Sequence, residues 1–260
     1  MKKILYTGAR SGIAKHVIDK FLNNNDYLIY LTVETDAQLK EVVRIYQKYK
    51  NIKCFKLNLT DIKLLEVVDK LDIDILVSNA AIGNGGSVAT IDIDKLKENF
   101  EVNVFSNFGL IQKVLKRMIK KDSGRIILMS SLASILPIPF LGSYCSSKAS
   151  INKLAECLSL ELKYIKSNVD IILIEPGLYH TGFNQVMFEN KYDFKSYYFK
   201  NEIDTIKRNE NIMLNLLEKN NFDSIVKKIY KAITCDNPKF IYRAPIFQVI
   251  FAKIYQIFFQ

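Results

Sequence analysis

Hydrophobic positions fall into short runs that alternate with longer amphipathic segments. Six β-branched, apolar runs predict strands at residues 4–6, 28–33, 53–57, 75–78, 125–130 and 170–174. Between them, apolar residues at helical spacing predict helices at 16–22, 36–49, 64–71, 95–118 and 144–164. This alternation predicts an α/β fold with a Rossmann-like, doubly wound parallel sheet and helices on both faces. Ligands of such sheets bind beyond the carboxyl ends of the strands.

The remainder of the chain departs from this alternation. Residues 181–221 are irregular and charged and hold many aromatic residues: Phe183, Phe188, Tyr192, Phe194, Tyr197, Tyr198 and Phe199. An insertion of this kind usually covers a pocket, so we expect a lid over the substrate site at about 181–221. A helix at 223–233 and a strand at 239–242 follow, which brings the sheet to about seven strands. Without a linker or repeat, residues 1–260 are expected to form a single domain.

The tail, residues 245–260, predicts an apolar helix. Gln248, Gln256 and Gln260 are spaced by eight and four residues, which indicates a narrow polar stripe beside a broad apolar one. We expect the apolar stripe to be buried, over the substrate pocket or against another subunit. Contact with a membrane surface is the less favoured alternative. Lys253 and the glutamines interrupt the apolar stretch, so no transmembrane helix is expected.

Composition narrows the class of protein. Of 260 residues, 49% are hydrophobic and 25% charged, as in soluble globular proteins with a sizeable core. The net charge of +10 comes from 37 basic and 27 acidic residues, but no basic stripe or motif predicts nucleic-acid binding. The four cysteines lack metal-binding spacing, and the amino terminus leads straight into a strand rather than a secretory signal. We therefore expect free thiols, no metal site and a cytoplasmic location.

A glycine-bearing turn follows the first predicted strand and leads into a helix. It runs from Thr7 to Ala14 and contains Gly8, Arg10, Ser11, Gly12 and Ile13. Gly8 permits a tight turn, Gly12 allows a phosphate to approach the backbone, and the helix start offers unpaired N–H groups. The turn indicates a pyrophosphate site, although glycines after a strand also occur in ordinary turns.

Tyr144 and Lys148 lie four residues apart at the start of a predicted helix, so their side chains share one face. This spacing alone is common. In the company of four other motifs, however, the chain resembles the short-chain dehydrogenase/reductase family, in its compact single-domain branch. The resemblance covers residues 1 to about 181 and rests on the glycine turn, Asn79-Ala80-Ala81, Asn103, Ser130-Ser131 and Tyr144-x-x-x-Lys148, with Pro176-Gly177 and Thr181 following the sixth strand.

The resemblance implies a role for each catalytic candidate. Tyr144 would be the general acid/base. Lys148 and the positively charged nicotinamide ring would lower its phenol pKa from about 10, and Lys148 would also hold the cofactor ribose. Ser131, rather than Ser130, would hydrogen-bond the substrate oxygen. Asn103 would distort its helix and hold a water molecule that relays protons to Lys148.

The resemblance also implies a nicotinamide cofactor, NAD or NADP. Glu34 at the end of the second strand would repel a 2′-phosphate, whereas Arg10 would attract one, and we favour NAD. Ala14, Ala81 and Asn58 depart from the family pattern without excluding binding. The predicted cofactor contacts are Gly8, Arg10, Ser11, Gly12, Ile13, Glu34, Asn58, Leu59, Asn79, Ala80, Tyr144, Lys148, Pro176, Gly177 and Thr181.

The resemblance implies hydride transfer between a secondary alcohol and a ketone, and the aromatic lid suggests that the substrate is lipophilic. Two alternatives remain open. One is a 3-oxoacyl-thioester reductase, and the other is a non-catalytic dinucleotide-sensing protein that keeps the fold. The resemblance further implies a homodimer or homotetramer paired through the helices predicted at 95–118 and 144–164.

Overall fold

A computed structural model of the chain describes residues 1–190 and 197–259. Over these residues the centre of the molecule is a seven-stranded parallel sheet of order β3-β2-β1-β4-β5-β6-β7. The strands are β1 Lys2–Tyr6, β2 Tyr27–Val33, β3 Ile52–Lys56, β4 Ile75–Ser78, β5 Gly124–Met129, β6 Val169–Pro176 and β7 Ile241–Ala244. Strand order reverses between β1 and β4, where doubly wound sheets open a crevice for a ligand. The predicted fold class is confirmed.

Helices connect the strands. They are α1 Gly12–Ile18, α2 Asp36–Tyr46, α3 Ile62–Leu65, α4 Ile93–Phe100, α5 Asn107–Lys120, α6 Gly142–Tyr164, α7 Phe183–Asn190, α8 Ile203–Leu217, α9 Asp223–Thr234 and α10 Ile246–Phe259. Short 3-10 turns occur at Asp19–Phe21, Glu66–Lys70, Leu132–Ser134 and Tyr197–Phe199. The strand predicted at 239–242 lies two residues later, at Ile241–Ala244. The irregular segment expected at 181–221 instead contains α7 and α8; Tyr192 and Phe194 lie outside the described residues.

Both faces of the sheet are buried, because strand residues point alternately to opposite sides. In β1, Ile4 and Tyr6 pack on one face with α1, α2 and α9, while Leu5 packs on the other. In β4, Leu76 joins Leu5 against α5 and α6, while Val77 takes the first face. These two cores leave the carboxyl edge of the sheet free to form a site.

Helix starts follow signals in the sequence. Thr35 caps α2: its Oγ1 accepts from the Gln38 N–H at 3.2 Å, and Gln38 Oε1 accepts from the Thr35 N–H at 3.4 Å. Such a reciprocal capping box satisfies two donors that a helix start otherwise leaves unpaired. The cap ends β2 close to Glu34, which places α2 beside the carboxyl edge of the sheet.

The α10 helix forms where the tail predicts one, and the side that packs on the rest of the chain includes part of its polar stripe. Gln248 is buried: its Oε1 accepts from the Leu178 N–H at 2.6 Å, and its Nε2 donates to the Leu217 carbonyl at 2.6 Å. These bonds join the loop after β6, the end of α8 and α10. In the single chain the broad apolar stripe is exposed rather than packed over the substrate pocket, at Ile246, Phe247, Ile250, Phe251, Ile254, Ile257 and Phe258; its burial against another subunit stays a prediction. Within residues 1–190 and 197–259, no helix combines the length and apolarity needed to cross a membrane.

Candidate active site

A cleft of about 730 Å³ opens at the carboxyl edge of the sheet. It brings together all the predicted site residues except Gly12 and Asn103, namely Gly8, Arg10, Ser11, Ile13, Glu34, Asn58, Leu59, Asn79, Ala80, Ser131, Tyr144, Lys148, Pro176, Gly177 and Thr181. Gly12 is just behind this lining, since a Cβ there would lie 3.4 Å from the Thr181 Cα. Residues more than a hundred positions apart therefore meet where strand order reverses.

The glycine turn after β1 is held tightly against the end of β4. Gly8 has φ +63°, and a Cβ there would lie 2.9 Å from the Ala80 Cα, so both conformation and space require glycine. Asn79 Nδ2 donates to the carbonyls of Thr7 and Gly8 at 3.0 and 2.9 Å. Thr7 Oγ1 accepts from the N–H groups of Asn79 and Ala80 at 2.9 and 3.0 Å. These bonds and the missing Cβ hold the glycine turn in the cleft beside the start of α1, whose unpaired N–H groups fit a dinucleotide phosphate.

Three asparagines attach the helix that runs from α4 to α5 to the loop after β4. The helix from α4 to α5 is continuous through a π-helical turn at Glu101–Ser106. Asn103 accepts from the Ile82 N–H at 2.8 Å and donates to the Ile82 carbonyl at 2.9 Å and to Ser147 Oγ at 3.1 Å. Asn99 makes the same paired contacts with Asn84. The predicted distortion at Asn103 is present, and π turns of this kind are frequent at functional sites.

The third asparagine extends this pattern. Asn107 Nδ2 donates to the Ala80 carbonyl at 3.0 Å, and its Oδ1 accepts from Ser78 Oγ at 2.5 Å. Asn99, Asn103 and Asn107, the asparagine ladder, thus bind alternate residues of the loop that lines the cleft. Of the three, only Asn103 was predicted from the sequence. The four-residue spacing of Asn99, Asn103 and Asn107, which places them on one helix face, was the signal for the other two.

Ser131, Tyr144 and Lys148 converge on the floor of the cleft. Ser131 lies beside Tyr144 in the cleft and acts on the phenol as a hydrogen-bonding neighbour that lowers its pKa. Lys148 Nζ donates to the Met129 carbonyl at 2.9 Å and lies 5.6 Å from the centre of the Tyr144 ring. Ser130 Oγ is directed elsewhere, to the Lys148 carbonyl at 3.4 Å. Of the two adjacent serines, therefore, Ser131 is the one in contact with the phenol.

Burial dominates the electrostatics of this group. Loss of water raises the pKa of Tyr144 above its usual value, and the hydrogen bond from Ser131 offsets only part of that rise. Burial also lowers the pKa of Lys148 to about 8. In the chain without its cofactor, desolvation is the largest influence on both groups, which are 7% or less exposed. The lowering of the Tyr144 pKa expected from Lys148 together with a bound nicotinamide ring stays a prediction.

Acidic side chains predominate where the cleft passes the end of β2. Glu34 lines it there with two residues of α2 that the sequence analysis missed, Gln38 and Glu41. Arg10 Nε pairs with Glu41 Oε2 at 3.0 Å. Two carboxylates, Glu34 and Glu41, thus lie near one guanidinium, that of Arg10, which is already paired with Glu41. In the sequence, Gln38 and Glu41 lie one and two helical turns after Glu34, and this spacing was the signal that they could line the same site. The same spacing is also typical of an ordinary solvated helix face.

An apolar cluster packs around Tyr144 on the other side. Phe183 of α7 lies 5.9 Å from the Tyr144 ring, centre to centre. Met187 and Phe188 of α7 are buried in the same cluster as Tyr144, and Met213 of α8 packs against it. The segment predicted as a lid therefore supplies the apolar surroundings of the phenol.

A partly buried chain of polar side chains lies behind the floor of the cleft. Asn152, one turn after Lys148, donates to Ser134 Oγ at 2.8 Å and to Glu175 Oε1 at 2.9 Å. Ser134 Oγ in turn donates to the Ser131 carbonyl at 2.6 Å. Glu175 is fully buried and pairs with Arg243 of β7. No sequence signal identified Asn152 or Glu175, because a buried carboxylate is recognisable only from its partners.

Strand order and the position of the cleft define the chain as a Rossmann-like α/β protein. A family model described as short chain dehydrogenase matches residues 2–192. The chain belongs to the short-chain dehydrogenase/reductase family of oxidoreductases, which confirms the resemblance drawn from the motifs.

Similar proteins include an NADPH-dependent 3-dehydrocapnine reductase from Ornithobacterium rhinotracheale, 31% identical over 191 residues, which cover 68% of this chain and 65% of that protein. Human 17-beta-hydroxysteroid dehydrogenase type 1 is 28% identical over 193 residues, covering 69% and 57%. Both matches thus span less than two thirds of the relative's length. A Burkholderia phymatum short chain dehydrogenase/reductase in complex with NAD shares the fold, with TM-score 0.82, 16% identity and coverage of 98% and 93%.

Proposed function

We propose that this protein is an NAD(P)-dependent oxidoreductase that interconverts a secondary alcohol and a ketone at Tyr144. The observation that carries this proposal is that Ser131, Tyr144 and Lys148 line the same cleft, with Lys148 Nζ 5.6 Å from the centre of the Tyr144 ring. A bound nicotinamide cofactor supplies or accepts the hydride. The chain itself must then handle a proton and the charge that develops on the substrate oxygen.

Each residue of this group has a separate task. In the direction of ketone reduction, Tyr144 Oη gives its proton to the substrate oxygen, and Ser131 Oγ hydrogen-bonds that oxygen as charge develops. Lys148, with a pKa of about 8, carries a positive charge at neutral pH and stabilises the phenolate that Tyr144 becomes. Asn103 positions the loop after β4, and the water relay inferred for it stays a prediction.

Cofactor binding is assigned to the remaining predicted residues of the cleft. The glycine turn, with Ser11 and Ile13, fits the phosphates, and Asn58 with Leu59 fits the adenine end. Glu34 and Glu41 outnumber Arg10 near the end of β2, which favours the uncharged 2′-hydroxyl of NAD over a 2′-phosphate. Lys148 and the loop of Pro176, Gly177 and Thr181 complete the proposed site.

The substrate is proposed to be lipophilic. Phe183, Met187 and Phe188 surround Tyr144 with apolar surface, which stabilises an apolar substrate by removing it from water. A steroid dehydrogenase among the similar proteins is consistent with this class. We therefore expect ketones with large apolar groups to be reduced with higher kcat/KM than sugar ketones.

The test replaces Tyr144 with phenylalanine. Tyr144→Phe removes the transferable proton and leaves the ring, so we expect kcat to fall about 10²- to 10⁴-fold while cofactor affinity is retained. Turnover is measured with NADH and NADPH against steroids, long-chain ketones, sugars and 3-oxoacyl thioesters, and cofactor binding is measured by fluorescence titration. Tyr164→Phe, an exposed tyrosine at the end of the same helix, is the control and should match wild type.

A different result would contradict each part of the proposal. Unchanged kcat in Tyr144→Phe would reject the catalytic assignment. Tighter binding of NADPH than of NADH would reject the cofactor preference alone. Cofactor binding without turnover on any substrate would favour the dinucleotide-sensing alternative.

A further inference from the structure

The α10 helix presents one uninterrupted apolar face. At 100° per residue, its exposed apolar side chains fall within an arc of about 140°. This α10 face consists of isoleucine and phenylalanine alone, each side chain 38–77% exposed: Ile246, Phe247, Ile250, Phe251, Ile254, Ile257 and Phe258. The opposite side of the helix holds Gln248, Val249 and Ala252, which are buried against the rest of the protein. The helix is therefore anchored on one side and exposes apolar surface on the other.

Basic side chains border the α10 face. Lys253 lies about 20° beyond Ile246 on the helical wheel, at one edge of the face. Lys219 Nζ lies 5.1 Å from the centre of the Phe247 ring. The neighbouring Glu218 is occupied by contacts with His180 and Gln185. From residue 237 to residue 260 the sequence contains no aspartate or glutamate.

We propose that the α10 face binds the surface of a membrane containing anionic lipids. A helix with a wide apolar face and lysines at its edge suits the boundary between acyl chains and headgroups, where apolar side chains leave water and lysines meet lipid phosphates. A symmetric pair formed through this face would bring the same lysines of both copies together. The charge at the border therefore favours anionic lipid over a second copy.

The position of α10 connects this surface to the cleft. Gln248 bonds both Leu178, in the loop that follows Gly177, and Leu217 at the end of α8. A Cβ on Gly177, which lines the cleft, would collide with the Gln248 side chain, so the loop and the helix are in direct contact. Binding through the α10 face therefore holds this edge of the cleft close to the lipid. The inference stands independently of the proposed reaction.

Vesicle flotation tests the proposal on the whole chain. We expect the protein to float with vesicles of three parts phosphatidylcholine to one part phosphatidylglycerol. Changing Phe251→Ser together with Ile254→Ser should lower the partition coefficient about tenfold or more, because both apolar groups lose their burial in lipid. Lys253→Gln should lower it about fivefold on anionic vesicles and leave binding to phosphatidylcholine alone unchanged.

The matched control makes the same kind of change, two exposed apolar residues to serine, outside α10. Val88→Ser with Ile93→Ser removes two apolar side chains that are 70% and 60% exposed, and should float like wild type. Circular dichroism and thermal melting check that each variant is folded; if the first α10 variant is not, Ile257→Ser with Phe258→Ser replaces it.

Three results would overturn the proposal. Wild type could fail to float, or the α10 variant could float as well as wild type. Sedimentation equilibrium could also show a dimer that the α10 variant dissociates in the absence of vesicle binding, which would assign the face to a second copy.

Discussion

At the scale of single residues, neighbours in sequence have different surroundings. Ser130 and Ser131 follow one another at the end of β5, where successive side chains point to opposite sides. Ser131 contacts the Tyr144 phenol, and Ser130 contacts the backbone of Lys148. The resemblance to the family, whose serine matches Ser131 thirteen residues before Tyr144, distinguished the two in the sequence. The pKa of Tyr144 was not predictable in this way, because it depends on how completely the phenol is removed from water.

Lys148 should make stability depend on pH. Its pKa is about 8 when folded and about 10.4 when unfolded, so below pH 8 the buried charge costs stability in full. Between pH 8 and 10.4 the folded state loses this proton while the unfolded state keeps it, and stability rises. The free energy of unfolding of wild type minus that of Lys148→Met should therefore increase by up to about 3 kcal/mol over this window.

Urea titrations across the pH series measure this difference. Lys153→Met, at an exposed lysine of the same helix, is the control and should show no such rise against wild type. A flat difference for Lys148→Met would mean that Lys148 is better solvated than its burial indicates.

At the scale of elements, backbone contacts shape the cleft. The asparagine ladder attaches alternate residues of the loop after β4 to the helix from α4 to α5. The glycine turn after β1 lies against that loop, because Gly8 lacks a Cβ. Both features fix the backbone of two loops that line the cleft.

The two glycines Gly8 and Gly109 should respond oppositely to alanine. Gly8→Ala places a Cβ on a residue with φ +63° and 2.9 Å from the Ala80 Cα, and should lower the free energy of unfolding by about 2–4 kcal/mol. Gly109→Ala, within α5 and with no atom within 4 Å of the added Cβ, should raise it by about 0.5–1 kcal/mol. Urea unfolding measures both. Equal effects would show that the turn relaxes around the methyl group.

At the scale of the whole molecule, Arg125 ties distant parts of the chain together. Its Nη1 donates to the carbonyls of Ala232 and Ile233 at the end of α9, both at 2.9 Å. Its Nε and Nη2 donate to Asp170 of β6 at 3.1 and 2.9 Å. A strand, its neighbour and a helix more than a hundred residues away therefore depend on one planar guanidinium.

Lysine should not replace this arginine. Arg125→Lys keeps the charge but loses the fork that reaches both α9 and Asp170, so the free energy of unfolding should fall by about 3 kcal/mol. Arg117→Lys is the control, because Arg117 is exposed and donates a hydrogen bond to the Leu71 carbonyl at 2.9 Å. Its free energy of unfolding should differ from that of wild type by no more than about 0.5 kcal/mol. Thermal and urea unfolding measure both variants; similar losses would contradict the bridging role of Arg125.

The fold class and most of the cleft were predictable from the chain alone. Strand periodicity, the glycine turn and the order of the motifs are local patterns, and local geometry with the rules of parallel sheets is enough to place them at one edge. Asn152, Glu175, Gln38 and Glu41 were not predictable, since their roles depend on partners from other elements.

The α10 helix shows most plainly what the sequence alone could not predict. Its helical period was visible in the sequence, but hydrophobicity alone did not show that the side bearing Gln248 packs on the chain's own core. Gln248 is buried because the free backbone groups of Leu178 and Leu217 need hydrogen-bond partners, and those groups meet α10 only after the whole chain has folded. Which face of an amphipathic helix packs inward is thus set by what surrounds it.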